Sequence, residues 1–400
     1  MKDVVVVSAV RTPLGSIGGT LKNTLAEELL AVVYQAAVER AGIEKDVIDE
    51  VIAGQAKQST DAPNIARVAA LKVGIPERIP AYTVHRQCAS GMQAILSGMQ
   101  QIMSGFSDVL LVGGVESMST APFYLRGARF GVGNGNTFLV DPNTESQPKS
   151  QPEEIYGTFN MIQTADNVAE KYHITREECD AFGLASQRKA VAAIDAGRFA
   201  EEITPVYVPR RKQEPLCFDT DEYPKRDTNE EKMAKLRPIF PGGVTTAGNA
   251  SGRNDGACAM VIMSAEKAAE LGVRPLVKII GAAAAGVDPR YMGTGPIEAT
   301  RKLMKKLTPE TGLTLDDFGL IEINEAFAAQ SLACIKELGL DPEKVNVNGG
   351  AIALGHPLGC SGARISTTLI YEMLRRDTKY GLASICVAGG LGMAMAFEKI

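Results

Sequence analysis

Residues 82–92 read Tyr82-Thr83-Val84-His85-Arg86-Gln87-Cys88-Ala89-Ser90-Gly91-Met92. The run from Ile79 to Val84 predicts a short strand, and apolar residues at helical spacing from Met92 to Met103 predict a helix after it. Cys88 therefore lies where a strand gives way to a helix, close to the helix N-terminus. Free N–H groups and the helix dipole favour an anion there, so we expect them to lower the pKa of the Cys88 thiol, as a nucleophile requires. The alternative is an inert cysteine, since free cysteines are among the most buried residues.

Length and composition restrict the class of protein. The 400 residues suggest two or three folding units. A hydrophobic fraction of 45% with 22% charged residues is typical of a soluble globular protein. The net charge of −5 argues against nucleic acid or an anionic membrane as the main partner. No apolar run approaches the roughly 18 residues of a membrane span, and we expect no signal peptide, because Val4 to Val7 lead straight into Arg11-Thr12-Pro13.

Cysteine and histidine usage bears on compartment and on metals. Seven cysteines, an odd number without framework spacing, indicate free thiols in a reducing compartment, and we expect a cytoplasmic protein. The three histidines are scattered and there is no C-x-x-C, so we expect no metal site.

Strand and helix patterns alternate at both ends of the chain. The unbroken valines Val4 to Val7 predict a strand buried on both faces. This alternation predicts an α/β layered core with a mostly parallel or mixed sheet. Between about 119 and 249 the pattern changes: Gly131 to Pro152 has little that forms a core, Gln163 to Arg198 is helical in pattern, and Arg210 to Arg237 is strongly charged. We interpret this part as an insertion lying over the core.

The C-terminal part repeats the order of features around Cys88. Cys88-Ala89-Ser90-Gly91, a helix and a strand ending in Gly113-Gly114 are matched by Gly359-Cys360-Ser361-Gly362, a helix and a strand ending in Gly389-Gly390. The shared order predicts two homologous halves related by a pseudo-twofold axis. We divide the chain into an N-terminal half of residues 1–118 and 250–270, a loop domain of residues 119–249, and a C-terminal half of residues 271–400.

Three further stretches carry residues suited to catalysis. His356 lies at a loop-to-helix junction that matches the position of Cys88, so thiol and imidazole could meet; the alternative is a structural histidine. The stretch Cys386 to Gly392 predicts a hairpin whose glycines could expose N–H groups to an oxyanion; the alternative is a plain turn. Asn324-Glu325-Ala326-Phe327 follows a predicted strand, and the alternative there is that Asn324 only caps a helix.

In their order along the chain these motifs resemble those of the thiolase family, the acetyl-CoA acetyltransferases and 3-ketoacyl-CoA thiolases. The resemblance covers essentially the full length and is specific as an ordered set, although each motif is weak alone. It implies a thiolase-like fold, with two βαβαβαββ halves in a layered α-β-α-β-α core and an inserted loop domain. The motifs are Ser8 to Pro13, Cys88 to Met92, Gly113 to Ser119, Ala247 to Gly252, Asn324 to Phe327, Gly355-His356-Pro357 and Cys386.

The resemblance also implies a mechanism, a Claisen condensation or its thiolytic reverse through an acyl-enzyme. Cys88 would carry the acyl group after His356 takes its proton, and Cys386 would move the proton α to the thioester carbonyl. Asn324, through a water, would help His356 to stabilise the enolate oxygen. The N–H groups of Cys88 and Ala388 would hold the tetrahedral intermediate. No metal or redox cofactor is implied, because the coenzyme A thioesters are substrates.

The chain departs from the family pattern at several positions. Ala388 stands where glycine is common, which keeps the N–H donor but adds a methyl group. The family's Asn-x-x-Cys is here His85-Arg86-Gln87-Cys88, and we interpret His85 as structural. Asn160 and Ile162 replace a frequent histidine and glycine on either side of Met161, so acyl-chain preference is open while the reaction class is not.

We expect coenzyme A to bind at the loop domain. By resemblance, Lys225 lies near the adenine, Ser251 bonds the pantetheine arm and Met292 lines the acyl pocket. Five basic residues suit the phosphates of the nucleotide, with a solvated charged loop as the alternative: Lys225, Arg226, Lys232, Lys235 and Arg237. The other expected contacts are Met161, Phe240, Ala247, Ala326 and Phe327.

The leading interpretation is an acyltransferase of fatty acid metabolism that converts two acetyl-CoA into acetoacetyl-CoA and coenzyme A, and the reverse. A broader-chain 3-ketoacyl-CoA thiolase of β-oxidation is the alternative. Intact Cys88, His356 and Cys386 argue against a non-catalytic lipid- or CoA-binding relative. A condensing synthase on the same fold is disfavoured as well, because such enzymes typically have no cysteine in the role of Cys386. A dinucleotide-binding oxidoreductase would need a G-x-G-x-x-G motif after the first strand, and the sequence has none there. The resemblance suggests a homodimer or homotetramer, and we hypothesise that oxidation joins Cys88 to Cys386.

Overall fold

The computed structural model describes residues 2–400 of the chain. Its strands are β1 (Val4–Arg11), β2 (Gly15–Ser16), β3 (Glu50–Gly54), β4 (Ala81–Val84), β5 (Val109–Ser117), β6 (Val206–Arg210), β7 (Gln213–Phe218), β8 (Asn254–Ser264), β9 (Val277–Gly286), β10 (Leu320–Ile323), β11 (Tyr380–Val387) and β12 (Leu391–Lys399). Its α-helices are α1 (Ala26–Ala41), α2 (Ile65–Lys72), α3 (Ser90–Ser104), α4 (Pro142–Glu145), α5 (Glu153–Tyr156), α6 (Met161–Tyr172), α7 (Arg176–Asp195), α8 (Glu230–Ala234), α9 (Ala265–Leu271), α10 (Gly295–Thr311), α11 (Ala328–Leu338), α12 (Ala351–Leu354) and α13 (Leu358–Arg375).

The main sheet consists of two half-sheets of five and four strands, and the second repeats the order of the first except for its edge strand β4. The first is β4-β3-β5-β8-β1 and the second is β10-β11-β12-β9. β3 pairs with β5 in parallel, as β10 does with β11, whereas the β5–β8 and β11–β12 pairs are antiparallel. β1 and β9 pair antiparallel at Val5–Lys278 and Val6–Val277, and this pairing joins the half-sheets where the pseudo-twofold axis is expected. The repeated order of elements predicted from the sequence is confirmed.

Helices and half-sheets alternate in five layers. α1 and α2 pack on the outer face of the first half-sheet, and α10 and α11 on that of the second. α3 and α13 pack against each other between the half-sheets. The valines of β1 show the layering, since Val4 and Val6 face the central helices while Val5 and Val7 face α1. The prediction of a strand buried on both faces is confirmed.

The two central helices approach closely because small residues lie at their crossing. A methyl group added at Gly362 of α13 would lie 2.7 Å from both the Cβ and the backbone nitrogen of Met92 in α3. Such distances are well inside van der Waals contact, so glycine is required there. The crossing brings the N-termini of α3 and α13 together. Cys88 precedes α3 by two residues and His356 precedes α13 by two residues, so the fold places them side by side.

The predicted insertion, residues 119–249, lies within the chain between the end of β5 at Ser117 and the start of β8 at Asn254. It contains α4 to α8 and the separate β6–β7 hairpin. α6 packs on α11, and α7 packs on α11 and α12, so these helices rest on the second half, whereas Val206 and Phe218 of the hairpin pack in the core of the first half. The helical pattern over 163–198 forms two helices rather than one, because His173 adopts φ 55° and ends α6. The domain boundaries at 118, 249 and 270 stay a prediction.

Three observations concern the described residues as a whole. Across residues 2–400, no helix has both the length and the apolar character that crossing a membrane demands. All seven cysteines are unpaired in this part of the chain. The same residues contain no group of three or more His, Cys, Asp or Glu side chains arranged to hold a metal ion.

Candidate active site

A cavity of about 330 Å³ opens where the two halves meet. Three separate elements supply its reactive side chains: Cys88 from the loop before α3, His356 from the loop before α13, and Cys386 from the end of β11. Ala388, in the turn between β11 and β12, lines it as well. Residues 268 positions apart in sequence, Cys88 and His356, therefore share one cavity.

Cys88 is held by a tight local turn. The preceding residue, Gln87, adopts φ 44°, a left-handed conformation that a residue with a side chain rarely takes. Ser90 stabilises the turn, since its hydroxyl accepts the N–H of Arg86 at 2.8 Å and donates to the carbonyl of Gln87 at 2.6 Å. Strained residues of this kind occur at functional sites.

The protonation state of Cys88 differs from the expectation. Part of the side chain opens to the cavity, yet surrounding protein desolvates the sulfur and burial raises the pKa of the thiol. Hydrogen bonds to the sulfur from the N–H groups of Ala388 and Cys88, together with the charge of Lys57, oppose this rise without reversing it. The prediction that the helix N-terminus lowers the pKa is therefore wrong: desolvation outweighs it. Cys88 rests as a thiol and requires a base.

His356 is oriented to be that base. Its Nδ1 lies 2.6 Å from the hydroxyl oxygen of Ser361, and that hydroxyl donates its own proton to the carbonyl of Pro357 at 2.8 Å. The hydroxyl has one proton only, so it must accept from Nδ1–H, which leaves Nε2 unprotonated. Burial, and secondarily the charge of Arg364, lowers the pKa of His356 to about 3. The imidazole is therefore neutral with a free basic nitrogen.

Cys386 is 1% exposed and lies among Ala250, Met292, Ala326 and Phe327. Burial raises the pKa of its thiol well above the ordinary value, and the Cys88 sulfur adds to this. The two sulfurs are thus close enough to influence each other. The predicted hairpin after Cys386 is present, with φ of 88° and 80° at Gly389 and Gly390.

Asn324 follows β10 and is fully buried beside the imidazole. Its Nδ2 lies 3.5 Å from each ring nitrogen of His356, and its Oδ1 has no hydrogen-bond partner in the described structure. Since α11 begins at Ala328 and is preceded by Phe327 as its cap, the alternative that Asn324 caps this helix is wrong.

Comparison with known proteins identifies the family of the chain. The sequence-family model of the thiolase N-terminal domain matches residues 4–266, and the family model of the thiolase C-terminal domain matches residues 273–399. An acetyl-CoA acetyltransferase of Pseudomonas aeruginosa is 50% identical over 400 residues, covering 100% of both chains.

The chain belongs to the thiolase family.

Solved structures place the fold of this thiolase in the same family. The crystal structure of the Bacillus anthracis acetyl-CoA acetyltransferase has a TM-score of 0.96 at 47% identity, covering 100% of this chain and 99% of the other. Human mitochondrial 3-ketoacyl-CoA thiolase, solved in complex with CoA, has a TM-score of 0.93 at 42% identity, covering 100% and 98%. This thiolase is an acyltransferase, and the alternative of a non-catalytic relative is not favoured.

Most of the residues expected to contact coenzyme A line the same cavity as Cys88, and two do not. Lys225 lies in a neighbouring cavity, exposed, with its Nζ 4.9 Å from the ring centre of Tyr223. Tyr223 and Ala247 line both cavities, which therefore adjoin. Phe240 lies in a separate cleft beside α6. The cavity of Cys88 includes Met161, Ala247, Ser251, Met292, Ala326 and Phe327.

The expected cluster of free positive charge in the loop domain is only partly present. Three of its five members face a carboxylate: Arg226 pairs with Asp195, Lys232 with Asp227, and Lys235 with Glu231. Within residues 2–400, Lys225 and Arg237 have no carboxylate within ion-pairing distance. Pairing with nearby acids, which the sequence also supplies, reduces the cluster to these two.

Sequence reasoning missed two residues of the site. Glu116, in β5, is fully buried and accepts the N–H groups of Ala56, Lys57 and Gly359 at 2.9–3.0 Å, so it ties the two halves together beside the cavity. Burial raises the pKa of Glu116 to about 7. Lys57 lines the cavity itself and is 8% exposed. It lies in a polar loop after β3, where no pattern in the sequence marks a buried side chain.

Proposed function

We propose that this thiolase transfers an acetyl group between coenzyme A thioesters: two acetyl-CoA give acetoacetyl-CoA and coenzyme A, and the reverse. The convergence of Cys88, His356 and Cys386 on one cavity is the observation that carries the proposal. The names of relatives support it, because the Pseudomonas aeruginosa and Bacillus anthracis proteins are acetyl-CoA acetyltransferases. Human 3-ketoacyl-CoA thiolase, solved with CoA, supports coenzyme A as a ligand.

In the first step the sulfur of Cys88 attacks the thioester carbonyl of acetyl-CoA. Its proton passes to Nε2 of His356, while Nδ1–H of the same ring keeps its hydrogen bond to the hydroxyl oxygen of Ser361. The N–H groups of Cys88 and Ala388, which hydrogen-bond the sulfur in the free enzyme, are placed to bind the oxyanion that forms beside it. The carbon–sulfur bond to coenzyme A breaks, and the leaving thiolate takes the proton of Cys386.

In the second step the Cys386 thiolate removes a proton from the methyl group of another acetyl-CoA. His356 and a water on Asn324 stabilise the enolate oxygen. The enolate carbon attacks the acetyl group on Cys88, the carbon–sulfur bond to Cys88 breaks, and His356 returns the proton to the sulfur. Each residue ends in its starting state, and no step passes through a metal or redox cofactor.

The coenzyme A arm is proposed to enter past Ser251 and Ala247, with Lys225 beside the nucleotide. Ser251 is held by its N–H, which donates to the carbonyl of Ala326 at 3.0 Å. Met161, Met292 and Phe327 give the acyl end of the cavity apolar walls. Phe240 lines a separate cleft beside α6 and not this cavity, so a contact of Phe240 with coenzyme A stays an expectation from resemblance.

The test is thiolysis of acetoacetyl-CoA. With coenzyme A as the second substrate, we expect acetyl-CoA as the product and parallel double-reciprocal plots, the pattern of a covalent intermediate. Cys88→Ala should abolish turnover, whereas Cys217→Ala, a change at an exposed cysteine of the β6–β7 hairpin, should not alter it. Unchanged turnover by Cys88→Ala would refute the proposal.

Homo-oligomerisation and a cytoplasmic location are further parts of the proposal. β4 is a half-buried edge strand that pairs only with β3 within the described residues, and an open edge is a surface for another chain. Large apolar side chains are exposed after β5, among them Phe123, Phe130 and Phe138. The unpaired cysteines of residues 2–400 support a reducing compartment.

A further inference from the structure

We propose that Lys57 binds a carboxylate at the far end of the acyl chain, so that this thiolase also accepts 3-ketoacyl-CoA substrates whose chain ends in a carboxylate. The inference rests on the proposed function, because it names a substrate class for the same cavity. It adds a positively charged subsite to a cavity whose acyl part is lined by the apolar side chains of Met161, Met292 and Phe327.

Lys57 is a buried cation that makes no ion pair within the described residues. Its side chain is 8% exposed, and its Nζ donates to the neutral hydroxyl of Ser146. Within residues 2–400, no carboxylate lies within 4.0 Å of Nζ. Glu116 is the carboxylate that raises the pKa of Lys57 most, ahead of Asp141, and the oxygens of Glu116 already accept three backbone N–H groups. Lysine is almost never buried unless it is paired, so the ammonium group lacks the partner that burial normally requires.

The surroundings of Lys57 are polar, in contrast to the apolar side chains of Met161, Met292 and Phe327 in the same cavity. Asn143 is 6% exposed and lines the cavity; its Nδ2 donates to the carbonyl of Met118 at 2.8 Å, while its Oδ1 has no partner in the described structure. Arg253 also lines the cavity and adds a second positive charge, although its guanidinium pairs with Asp141 at 4.0 Å. An anion at this end would meet two cations, whereas a methyl group there would leave Lys57 unpaired.

The position of Lys57 relative to Cys88 suits an acyl tail. Both side chains line one cavity, and the charge of Lys57 is close enough to lower the pKa of the Cys88 thiol. A chain attached at Cys88 and extended towards Lys57 would place its terminal group at the ammonium. Burial lowers the pKa of Lys57, and a bound carboxylate would counter that effect. Charge-assisted hydrogen bonds of this kind are about twice as strong as neutral ones.

The competing explanation is that Lys57 serves only to stabilise the Cys88 thiolate. Such a role would affect every substrate equally, since all of them react at Cys88. A subsite for the tail would instead discriminate between chains that differ only in their terminal group. Binding measured without chemistry separates the two explanations.

The experiment is calorimetric binding to full-length Cys88→Ala protein, which cannot be acylated at that position. The ligands are succinyl-, glutaryl- and adipyl-CoA, each compared with the neutral acyl-CoA of equal chain length. We expect at least one carboxylated ligand to bind about tenfold tighter than its neutral partner, or more. Adding Lys57→Met should remove that ratio, and adding Lys57→Arg should retain part of it.

Equal affinities within every pair would overturn the inference, and so would a Lys57→Met change that weakens both members of a pair alike. The comparison within the Cys88→Ala protein needs no change at Lys57, so misfolding of that variant cannot obscure the result. Wild-type thiolysis of acetoacetyl-CoA is measured separately. Its failure would refute the proposed function, while the binding ratio alone decides the carboxylate subsite.

Discussion

The three reactive side chains of the site are neutral at rest, and burial is the reason. Desolvation raises the pKa values of Cys88 and Cys386 and lowers that of His356 to about 3. Charge therefore arises only when a substrate is attacked and its oxyanion is stabilised by nearby N–H groups. Proton transfer from Cys88 to His356 becomes part of the reaction rather than a step completed beforehand.

The first prediction concerns the reactivity of Cys88 in the free enzyme. Because the thiol pKa is raised, the rate of alkylation by iodoacetamide should keep increasing above pH 9. The measurement is the pseudo-first-order rate of label incorporation at the Cys88 peptide across pH 6–11. A plateau near neutral pH would show a thiolate already formed and would contradict this assignment.

The second prediction concerns Ser361, which fixes the tautomer of His356. Ser361→Ala removes the acceptor of Nδ1–H, so kcat should fall about tenfold to a hundredfold with little change in KM. Ser366→Ala is the matched control, because that buried hydroxyl lies on the same helix and only donates to the carbonyl of Gly362. If both variants lose activity equally, the effect is one of packing and the tautomer argument fails.

At this scale the identity of the reacting residues was predictable and their electrostatics were not. The junction positions of Cys88 and His356 are visible as a strand, a loop and a helix in the sequence. The sign of the Cys88 pKa shift depends on how completely other segments cover the sulfur, including the turn that carries Ala388. Lys57 escaped notice for the same reason, since burial of a lysine is decided by distant parts of the chain.

At the scale of elements, the crossing of α3 and α13 determines the geometry of the site. These helices begin two residues after Cys88 and His356, so a shift between them moves the thiol relative to the imidazole. The contact depends on the absence of a side chain at Gly362, because a methyl group added there would lie 2.7 Å from Met92.

We accordingly predict that Gly362→Ala destabilises the protein by about 2 kcal/mol through overpacking, and lowers kcat as the helices separate. Thermal unfolding followed by circular dichroism, together with thiolysis rates, tests this. Gln100→Ala on the exposed side of α3 provides the comparison and should change neither quantity appreciably. A Gly362→Ala protein as stable and as active as wild type would show that the crossing tolerates separation.

Elements with strong local patterns were predictable, and those set by tertiary contacts were not. The buried strand β1 follows from its unbroken valines, and the β11–β12 hairpin follows from the placement of its glycines. The break between α6 and α7 depends on the backbone at His173, which no glycine or proline marks. The unpaired positive charge of the loop domain was overestimated, because neighbouring acids pair with three of its five basic residues.

On the scale of the whole molecule, each half supplies what the other lacks. The first half contributes the nucleophile, the second contributes the imidazole and the second thiol, and the pairing of β1 with β9 joins them. The internal repeat in the sequence predicted this arrangement, whereas the packing of α6 and α7 on the second half had no sequence signal. The cavity therefore forms only when the two halves are packed together.

The open edge of β4 leads to a prediction of assembly. The protein should have at least twice the chain mass of 42.5 kDa in size-exclusion chromatography with light scattering. Thr83→Pro, which places a residue without an N–H in the edge strand, should shift the population towards monomer. A wild-type monomer at micromolar concentration would contradict the assembly proposal and leave the catalytic one untouched.

The central claim is that acyl transfer proceeds through Cys88, and its most direct test is to trap the intermediate. The protein is mixed with acetyl-CoA alone, quenched in acid, digested and analysed by mass spectrometry. We predict an acetyl group on the peptide that contains Cys88, present in wild type and absent in Cys88→Ala. An acetyl group on another peptide, or full turnover without any acetylated Cys88 peptide, would contradict the account.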